Sequence, residues 1–116
     1  MLRGHTCSWL GSACTLPFSD LSEAKLRPAL VLADSGRGDW ILCQITSNPY
    51  ADPCTVELAD ADFDTGSLRV TSHARPGKLF TASSSLVVSE AGILSQATLQ
   101  TIVQAVVDLL RVGLKA

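Results

Sequence analysis

Two polar positions at the ends of neighbouring apolar runs are the ones best suited to chemistry in this chain. Arg27 stands at the start of the apolar run 26–32. Thr46 and Ser47 close a second run, residues 40–47, beyond a short polar loop. An arginine is a permanently charged planar fork that pairs with phosphate, and two hydroxyls beside it can hydrogen-bond the same group. If the two runs pair as a hairpin, Arg27 and Thr46 come together at a site for a phosphodiester.

Each of these residues also has a common structural role. An arginine at a strand end often lays its stem along an apolar surface and extends its charged head into water. Hydroxyls that follow a buried strand often hydrogen-bond the backbone of the next turn. On the residues alone, both interpretations of Arg27 and of the pair Thr46 and Ser47 stay open.

The other residues that carry chemistry are isolated in the sequence. His73 and Arg75 lie in a short link, where a single histidine is more often solvated than catalytic. The sequence contains no Ser/His/Asp order, no glycine-rich phosphate loop and no cluster at metal-ligand spacing. It therefore predicts no metal and no cofactor. Four cysteines match neither a C-x-x-C pair nor a zinc-finger pattern, and we interpret them as reduced thiols: Cys7, Cys14, Cys43 and Cys54.

The composition predicts one folded domain over residues 1–116. The chain has 116 residues, 47% of them hydrophobic, and a positive mean hydropathy, which is enough for one buried core. The net charge of −2 argues against bulk coating of nucleic acid, but the charges are segregated and leave room for a local basic groove. No uninterrupted apolar run approaches the roughly 18–20 residues of a membrane span, and no signal-peptide core is visible. We therefore expect a cytoplasmic protein without membrane contact.

The elements that must position these residues follow from the apolar pattern. Short strands are predicted at residues 29–32, 40–46, 55–58, 67–72 and 78–81, with a further extended piece at 86–88. Turn-forming residues predict connections at 17–25, 35–39, 47–53, 59–66 and 73–77. Pro28 fits the first residue of its strand, where a missing ladder donor does least harm. Residues 1–16 show no clear period and read as a loop or weak strand.

The end of the chain changes to a helical period. Apolar residues recur at the spacing of one helix face at Leu99, Ile102, Val103, Val106 and Leu110. Ser95 is a suitable N-cap and Gly113 a suitable stop, which predicts a helix at about 96–112. Several antiparallel strands followed by one helix favour an all-β barrel or an α+β domain.

Four motifs, taken together, resemble one known family. They are P-F-S-D-L at 17–21, K-L-R-P-A-L-V-L at 25–32, I-T-S at 45–47 and R-P-G-K-L-F-T at 75–81. In order and interval they are similar to the MazF/PemK (Kid) family of toxin endoribonucleases, the mRNA interferases of type II toxin-antitoxin systems. The resemblance continues through A-G-I-L-S at 91–95 into the last helix and covers about residues 17–111. Each motif is short and apolar, so the resemblance is specific only because all four occur in the same order and at the same intervals.

The resemblance implies a fold, an activity and partners. The fold is mainly β, a small, strongly twisted antiparallel barrel of SH3-like character with a C-terminal helix. The activity is metal-independent, sequence-specific cleavage of single-stranded RNA, which leaves a 2',3'-cyclic phosphate and a 5'-hydroxyl. The partners are RNA, a second copy in a homodimer and a cognate antitoxin. Carried over by motif, the catalytic residues are Arg27 and Thr46, with Ser47 beside them.

The proton acceptor and the RNA contacts are less specific. Some family members use an acidic residue just after the position of Arg75, where this chain has Pro76 and Gly77, and others use a glutamate near Glu23. Glu23 and Arg75 are therefore secondary catalytic candidates. The candidates for RNA binding lie in the loops around these motifs, with Tyr50 as a stacking surface: Asp20, Ser22, Lys25, Asn48, Tyr50, His73 and Lys78.

The N-terminal segment departs from the family pattern. After Arg3 and Gly4 the family continues into an apolar strand, whereas residues 5–16 here are longer and of a different pattern. This predicts an altered first strand, and failure of that strand to pair would expose a sheet edge. The alternative function is accordingly a non-catalytic or degenerate barrel toxin that binds a protein target or only titrates antitoxin.

Overall fold

The computed structural model describes residues 10–19, 24–50 and 52–115. Within them lie seven strands: β1 (Ser12–Ser19), β2 (Ala24–Gly36), β3 (Asp39–Thr46), β4 (Val56–Leu58), β5 (Phe63–Gly66), β6 (Ser72–Ser83) and β7 (Ser89–Leu94). The helix α1 (Gln96–Lys115) follows them. Single turns of 3-10 helix occur at Asp60–Asp62 and Ser84–Leu86.

The strands form one antiparallel sheet that curls into a nearly closed barrel. Its strand order is β4-β6-β3-β2-β1-β7-β5, so the two outermost strands are the shortest, with three and four residues. Short outer strands limit the exposed edge. Register shifts interrupt four of the six pairings, and such bulges increase the twist that closes a barrel. The predicted mainly β barrel with a C-terminal helix is confirmed.

The two faces of the central strands are both buried, which explains their continuous apolar runs. One face forms a cluster with the helix: Ala13, Leu30, Cys43, Ile45, Leu58, Ala74, Leu94 and Ile102. The other face carries Cys14, Leu16, Ala29, Val31, Trp40 and Leu42. Phe18 and Phe80 pack against this second cluster in an edge-to-face contact, with ring centroids 5.0 Å apart.

The first strand forms and pairs on both sides, so the sheet edge that its failure to pair would expose is covered. β1 lies between β2 and β7 and holds Ala13, Cys14 and Leu16 fully or almost fully buried. The buried residues at the start of this strand, Ser12, Ala13 and Cys14, are small and give only a weak hydrophobic signal. Of the predicted connection 17–25, residues 17–19 belong to β1 and residues 24 and 25 to β2, so its boundaries are wrong. Residues 20–23 lie outside the described residues, as do residues 1–9.

The second strand starts earlier than predicted. β2 begins at Ala24, so Pro28 lies inside the strand and the prediction that it opens the strand is wrong. At Pro28 the strand pairs with Thr15 of β1, whereas the β2–β3 ladder begins only at Ala29. A residue paired on one side tolerates the missing backbone donor of proline.

Several predictions for the middle of the chain are wrong in their boundaries. The predicted acidic loop 59–66 contains a 3-10 turn and β5, and residues 67–71 are not a strand. The predicted link 73–77 lies inside β6, because a bulge accommodates its Pro-Gly step. The predicted extended piece 86–88 precedes β7. In β7, Gly92 allows β5 to approach closely, because an added Cβ would stand 2.6 Å from the Thr65 carbonyl oxygen.

The C-terminal helix begins as predicted and ends later. Ser95 is confirmed as the N-cap, because its Oγ accepts a hydrogen bond of 3.2 Å from the backbone N–H of Thr98. Ile102 is fully buried in the barrel core. Gly113 lies within the helix, so its assignment as a stop is wrong; a glycine near an exposed helix end costs only about 1 kcal/mol.

By length and composition alone, the segment Gln96–Leu114 of α1 is a helix that could cross a membrane. The predicted absence of membrane contact relied on uninterrupted apolar runs, and polar residues such as Asp108 and Arg111 interrupt this one. An amphipathic helix on a barrel satisfies the same length and composition. The absence of membrane contact therefore stays a prediction.

Candidate active site

A pocket of about 310 Å³ opens where β2 starts, β3 ends and β6 starts. Residues 67–71, which connect β5 to β6, form a further wall. The lining residues are Arg27, Pro28, Gln44, Ile45, Thr46, Ser47, Leu68, Val70, Ser72 and Arg75. Two of these ten residues are arginines and none is acidic, so the pocket suits an anion.

Arg27 and Thr46 line this same pocket, as the predicted hairpin requires. The β2–β3 register pairs Ala29 with Gln44, which directs the preceding residues of β2 toward the following residues of β3. The side chain of Arg27 is exposed and makes no ion pair with any residue in the described part of the chain. Its charge is therefore available to a ligand.

The hydroxyl of Thr46 is engaged locally. Its Oγ1 accepts a hydrogen bond of 3.0 Å from the backbone N–H of Asn48 and donates one of 3.3 Å to the Asn48 carbonyl oxygen. This is the turn-forming role that the sequence left open. The donated bond is long and therefore weak. Turning the hydroxyl proton toward an oxygen of a phosphate that enters the pocket would cost little hydrogen-bond energy.

Arg75 reaches the pocket from an irregular part of β6. Between the pairs Ile45–Ala74 and Cys43–Leu79, β3 has only Gln44 and β6 has residues 75–78. Arg75 Nη1 donates a hydrogen bond of 3.2 Å to Gln44 Oε1, and Nε donates one of 2.9 Å to Asp52 Oδ2. The hydrogen bond from Arg75, followed by that from the Cys54 N–H, holds the pKa of Asp52 below its usual value.

The segment that follows β3 contributes Ser47 to the pocket lining. Beyond it, Asn48 Oδ1 accepts a hydrogen bond of 3.1 Å from the backbone N–H of Tyr50. Tyr50 is 94% exposed, as a stacking surface requires. This segment therefore carries polar groups and one exposed aromatic ring.

The remaining predicted residues surround the pocket or lie outside the described residues. His73 pairs in register with Thr46 and Glu57, and its Nδ1 is buried without a hydrogen-bond partner among the described residues. Lys78 is exposed in the β6 bulge, and Lys25 is exposed on β2. Asp20, Ser22 and Glu23 belong to the undescribed residues 20–23.

Sequence reasoning missed several contributors to this site, Gln44, Asp52, Leu68 and Val70 among them. Gln44 interrupts a buried strand with a polar side chain, a signal that could have identified it. Asp52 is one of several acidic residues in the middle of the chain, and no motif distinguishes it from the others. Leu68 and Val70 lie in a segment predicted as a strand; it instead turns sharply, with a positive φ of 70° at Arg69 and a 2.8 Å hydrogen bond from the Val70 N–H to the Leu68 carbonyl oxygen.

The described residues offer no group of three or more His, Cys, Asp or Glu side chains that could hold a metal ion. Cys14, Cys43 and Cys54 are free thiols, as predicted, and Cys7 lies outside the described residues. Burial raises the pKa of Cys14 to about 11 and that of Cys43 to about 12. Both buried thiols therefore stay protonated and unreactive near neutral pH.

Comparison with known proteins identifies the family. Residues 13–110 match the family model described as PemK-like, MazF-like toxin of type II toxin-antitoxin system. The chain belongs to this family. The match starts at Ala13, the second residue of β1. A search of curated proteins finds no match.

Solved structures show the same MazF-like fold. A MazE-MazF crystal structure from Deinococcus radiodurans has a TM-score of 0.69 and 21% identity, covering 86% of this chain and 92% of that one. An endoribonuclease in complex with its cognate antitoxin, from a mycobacterial species, has a TM-score of 0.65 and 17% identity, covering 87% and 90%. A mycobacterial endoribonuclease has a TM-score of 0.65 and 18% identity, covering 87% and 88%. At these identities the likeness establishes the fold.

Proposed function

We propose that this MazF-like toxin is a metal-independent endoribonuclease that cuts single-stranded RNA at a specific short sequence. The observation that supports this best is the pocket, where Arg27, Arg75 and Thr46 converge without a lining carboxylate. Two permanent cations and a hydroxyl suit a phosphodiester, which carries one negative charge before the reaction and gains more charge on its oxygens during it.

The proposed reaction is an internal transfer at phosphorus. The ribose 2'-oxygen attacks the adjacent phosphorus and loses its proton to a base, while the bond from phosphorus to the 5'-oxygen breaks. The leaving 5'-oxygen takes up a proton, so the products are a 2',3'-cyclic phosphate and a 5'-hydroxyl. Arg27 stabilises the phosphoryl charge, Arg75 adds a second cation, and Thr46 orients the phosphate by hydrogen bonding.

Neither arginine suits the role of proton acceptor in this proposal. A guanidinium is a permanent cation that only donates hydrogen bonds, and that of Arg75 already donates to Asp52. Glu23 stays the secondary candidate that the family resemblance suggests. Ser47 lines the pocket, and in this proposal its hydroxyl hydrogen-bonds a phosphate or ribose oxygen.

Single-stranded RNA would be held by the surface around the pocket. Tyr50 offers an exposed ring for base stacking, and Asn48 offers base-edge hydrogen bonds from the same loop. Lys25, Lys78 and His73 add polar or positive groups around the phosphate site. A strand with unpaired bases fits such a surface better than a duplex, whose base faces are stacked.

We also propose that the toxin is a homodimer controlled by a cognate antitoxin. Relatives in the solved structures were crystallised with a cognate antitoxin or with MazE. The exposed apolar side chains of α1 are compatible with a protein partner: Val103, Leu109, Leu110, Val112 and Leu114.

The test is incubation of the purified protein with a long RNA in EDTA, followed by mapping of the new 5' ends. Discrete cuts with 5'-hydroxyl ends support the nuclease, whereas intact RNA supports a binding-only toxin. Arg27→Ala should lower cleavage by about 10²–10³-fold or more because it removes a charge-stabilising group, with the fold retained. Arg37→Ala, in the exposed β2–β3 turn, is the matched control and should cut normally. A folded Arg27→Ala variant with full activity would contradict the assignment.

A further inference from the structure

We propose that Asp52 is a positioning residue of this site, a carboxylate that holds the guanidinium of Arg75 in the orientation that meets the RNA phosphate. The inference rests on the proposed ribonuclease function and deepens it. Asp52 is not among the residues that line the pocket, so it acts through Arg75.

The backbone alone positions Arg75 poorly. It follows Ala74, the last residue of β6 in regular register before the bulge, and four residues of β6 face Gln44 alone. A bulged residue lies off the regular ladder, so its side-chain direction depends on further contacts. An arginine side chain also has many rotamers, and fixing one of them costs about 2 kcal/mol of conformational entropy.

Two side-chain contacts supply that support. The 2.9 Å bond from Arg75 Nε to Asp52 Oδ2 and the 3.2 Å bond from Nη1 to Gln44 Oε1 fix two nitrogens of one planar group. Neither contact uses Nη2. The ion pair is largely shielded, with 23% of the Arg75 side chain and 15% of the Asp52 side chain exposed. Partial shielding strengthens a charge-assisted hydrogen bond relative to one in open water.

Asp52 also fixes the loop after β3, whose first residue, Ser47, lines the pocket. Its second oxygen, Oδ1, accepts a hydrogen bond of 2.9 Å from the backbone N–H of Cys54, and the Asp52 N–H donates one of 3.1 Å to the Pro49 carbonyl oxygen. Asp52 thus links the loop of Ser47 and Tyr50 to β6. Asp52 therefore holds the second cation of the pocket with its side chain, and its backbone N–H holds the loop that carries the proposed stacking surface.

A base role fits Asp52 less well than positioning does. Its pKa is held low by the Arg75 hydrogen bond, so it is a weak proton acceptor. One of its oxygens accepts a hydrogen bond from Arg75 and the other accepts one from the Cys54 N–H, so both oxygens are engaged by protein groups.

The experiment measures kcat and KM on a short RNA that contains one mapped cut. Asp52→Asn keeps the size of the side chain and an acceptor for the Cys54 N–H but removes the charge that holds Arg75. We expect kcat to fall about 10- to 100-fold, with KM changed little and the melting temperature nearly retained. Asp52→Ser keeps a turn-forming oxygen and should lose activity to the same extent. It replaces Asp52→Asn in the experiment if Asp52→Asn folds poorly. Exposed Asp60→Asn is the matched control and should be fully active.

A double-mutant cycle separates positioning from a general structural effect. If Asp52 acts through Arg75, the double variant Asp52→Asn/Arg75→Ala is no slower than Arg75→Ala alone. If the rate losses of Asp52→Asn and Arg75→Ala multiply in the double variant, the positioning role is wrong. Wild-type kinetics of Asp52→Asn would also contradict it. Either result leaves the ribonuclease proposal intact. A wild-type protein that leaves all RNA uncut overturns both.

Discussion

The two halves of the β3–β6 pairing have opposite characters. From Asp39 to Cys43 the ladder is regular, and Trp40 and Leu42 bury their side chains in the second apolar cluster. Beyond Cys43 the ladder is bulged, and the next side chains on the Trp40 and Leu42 side of β3 are polar, at Gln44 and Thr46. One strand therefore passes from core to pocket.

The difference shows how a small barrel separates stability from chemistry. A regular ladder places cross-strand neighbours at fixed distances and leaves no space between them. The bulge leaves Arg75 outside the regular register and opens the pocket beside it. Stability should therefore depend on the regular half, and cleavage on the bulged half.

The strongest test of this comparison is Leu42→Ala. Leu42 is fully buried, so the variant loses apolar contacts and leaves a cavity, which costs about 2–5 kcal/mol of unfolding free energy. Urea unfolding followed by circular dichroism measures this loss. Below the unfolding transition, the cutting rate per folded molecule should stay near wild type. A Leu42→Ala protein of normal stability would contradict the assignment of the regular half.

Thr46→Val tests the bulged half with almost no change in shape. Loss of the hydroxyl removes the proposed bond to the phosphate and should lower kcat about 10- to 100-fold, because hydrogen bonds to charged groups contribute about 1.5–3 kcal/mol. The Asn48 N–H also loses its acceptor, so a stability loss of about 1 kcal/mol is expected in a melting experiment. Thr46→Ser keeps the hydroxyl and should retain most activity. Equal losses in both variants would show that the hydroxyl is unimportant.

The parts of the fold that sequence predicted are those governed by local pattern. The spacing of Leu99, Ile102 and Val106 is enough to predict a helix from a few turns of sequence. Ser95 caps this helix by accepting a hydrogen bond from the backbone N–H of Thr98, three residues away. The approach of Arg27 to Thr46 follows from a hairpin whose two strands are joined by a short turn. Both predictions need only neighbouring residues.

The parts that sequence missed depend on distant partners. The Pro76 and Gly77 step is typical of a link, and only pairing with β3 makes it part of a bulged strand. Asp52 and Arg75 are 23 residues apart, so no local pattern joins them. Gly92 gives no hydrophobic signal at all, although its missing side chain allows β5 to approach β7.

The smallest expected effect is the pH dependence of the Asp52 ion pair. Its pKa is lower in the folded protein than its ordinary value of 3.8, so the pair adds stability above that value and loses it as the pH falls through the folded pKa. Partly exposed pairs contribute about 0.2–1 kcal/mol, and this is the expected stability difference between wild type and Asp52→Asn at about pH 7. Urea midpoints at decreasing pH should converge as Asp52 becomes protonated. A gap that persists in strong acid would mean that Asp52 stabilises the loop by its hydrogen bonds rather than by its charge on Arg75.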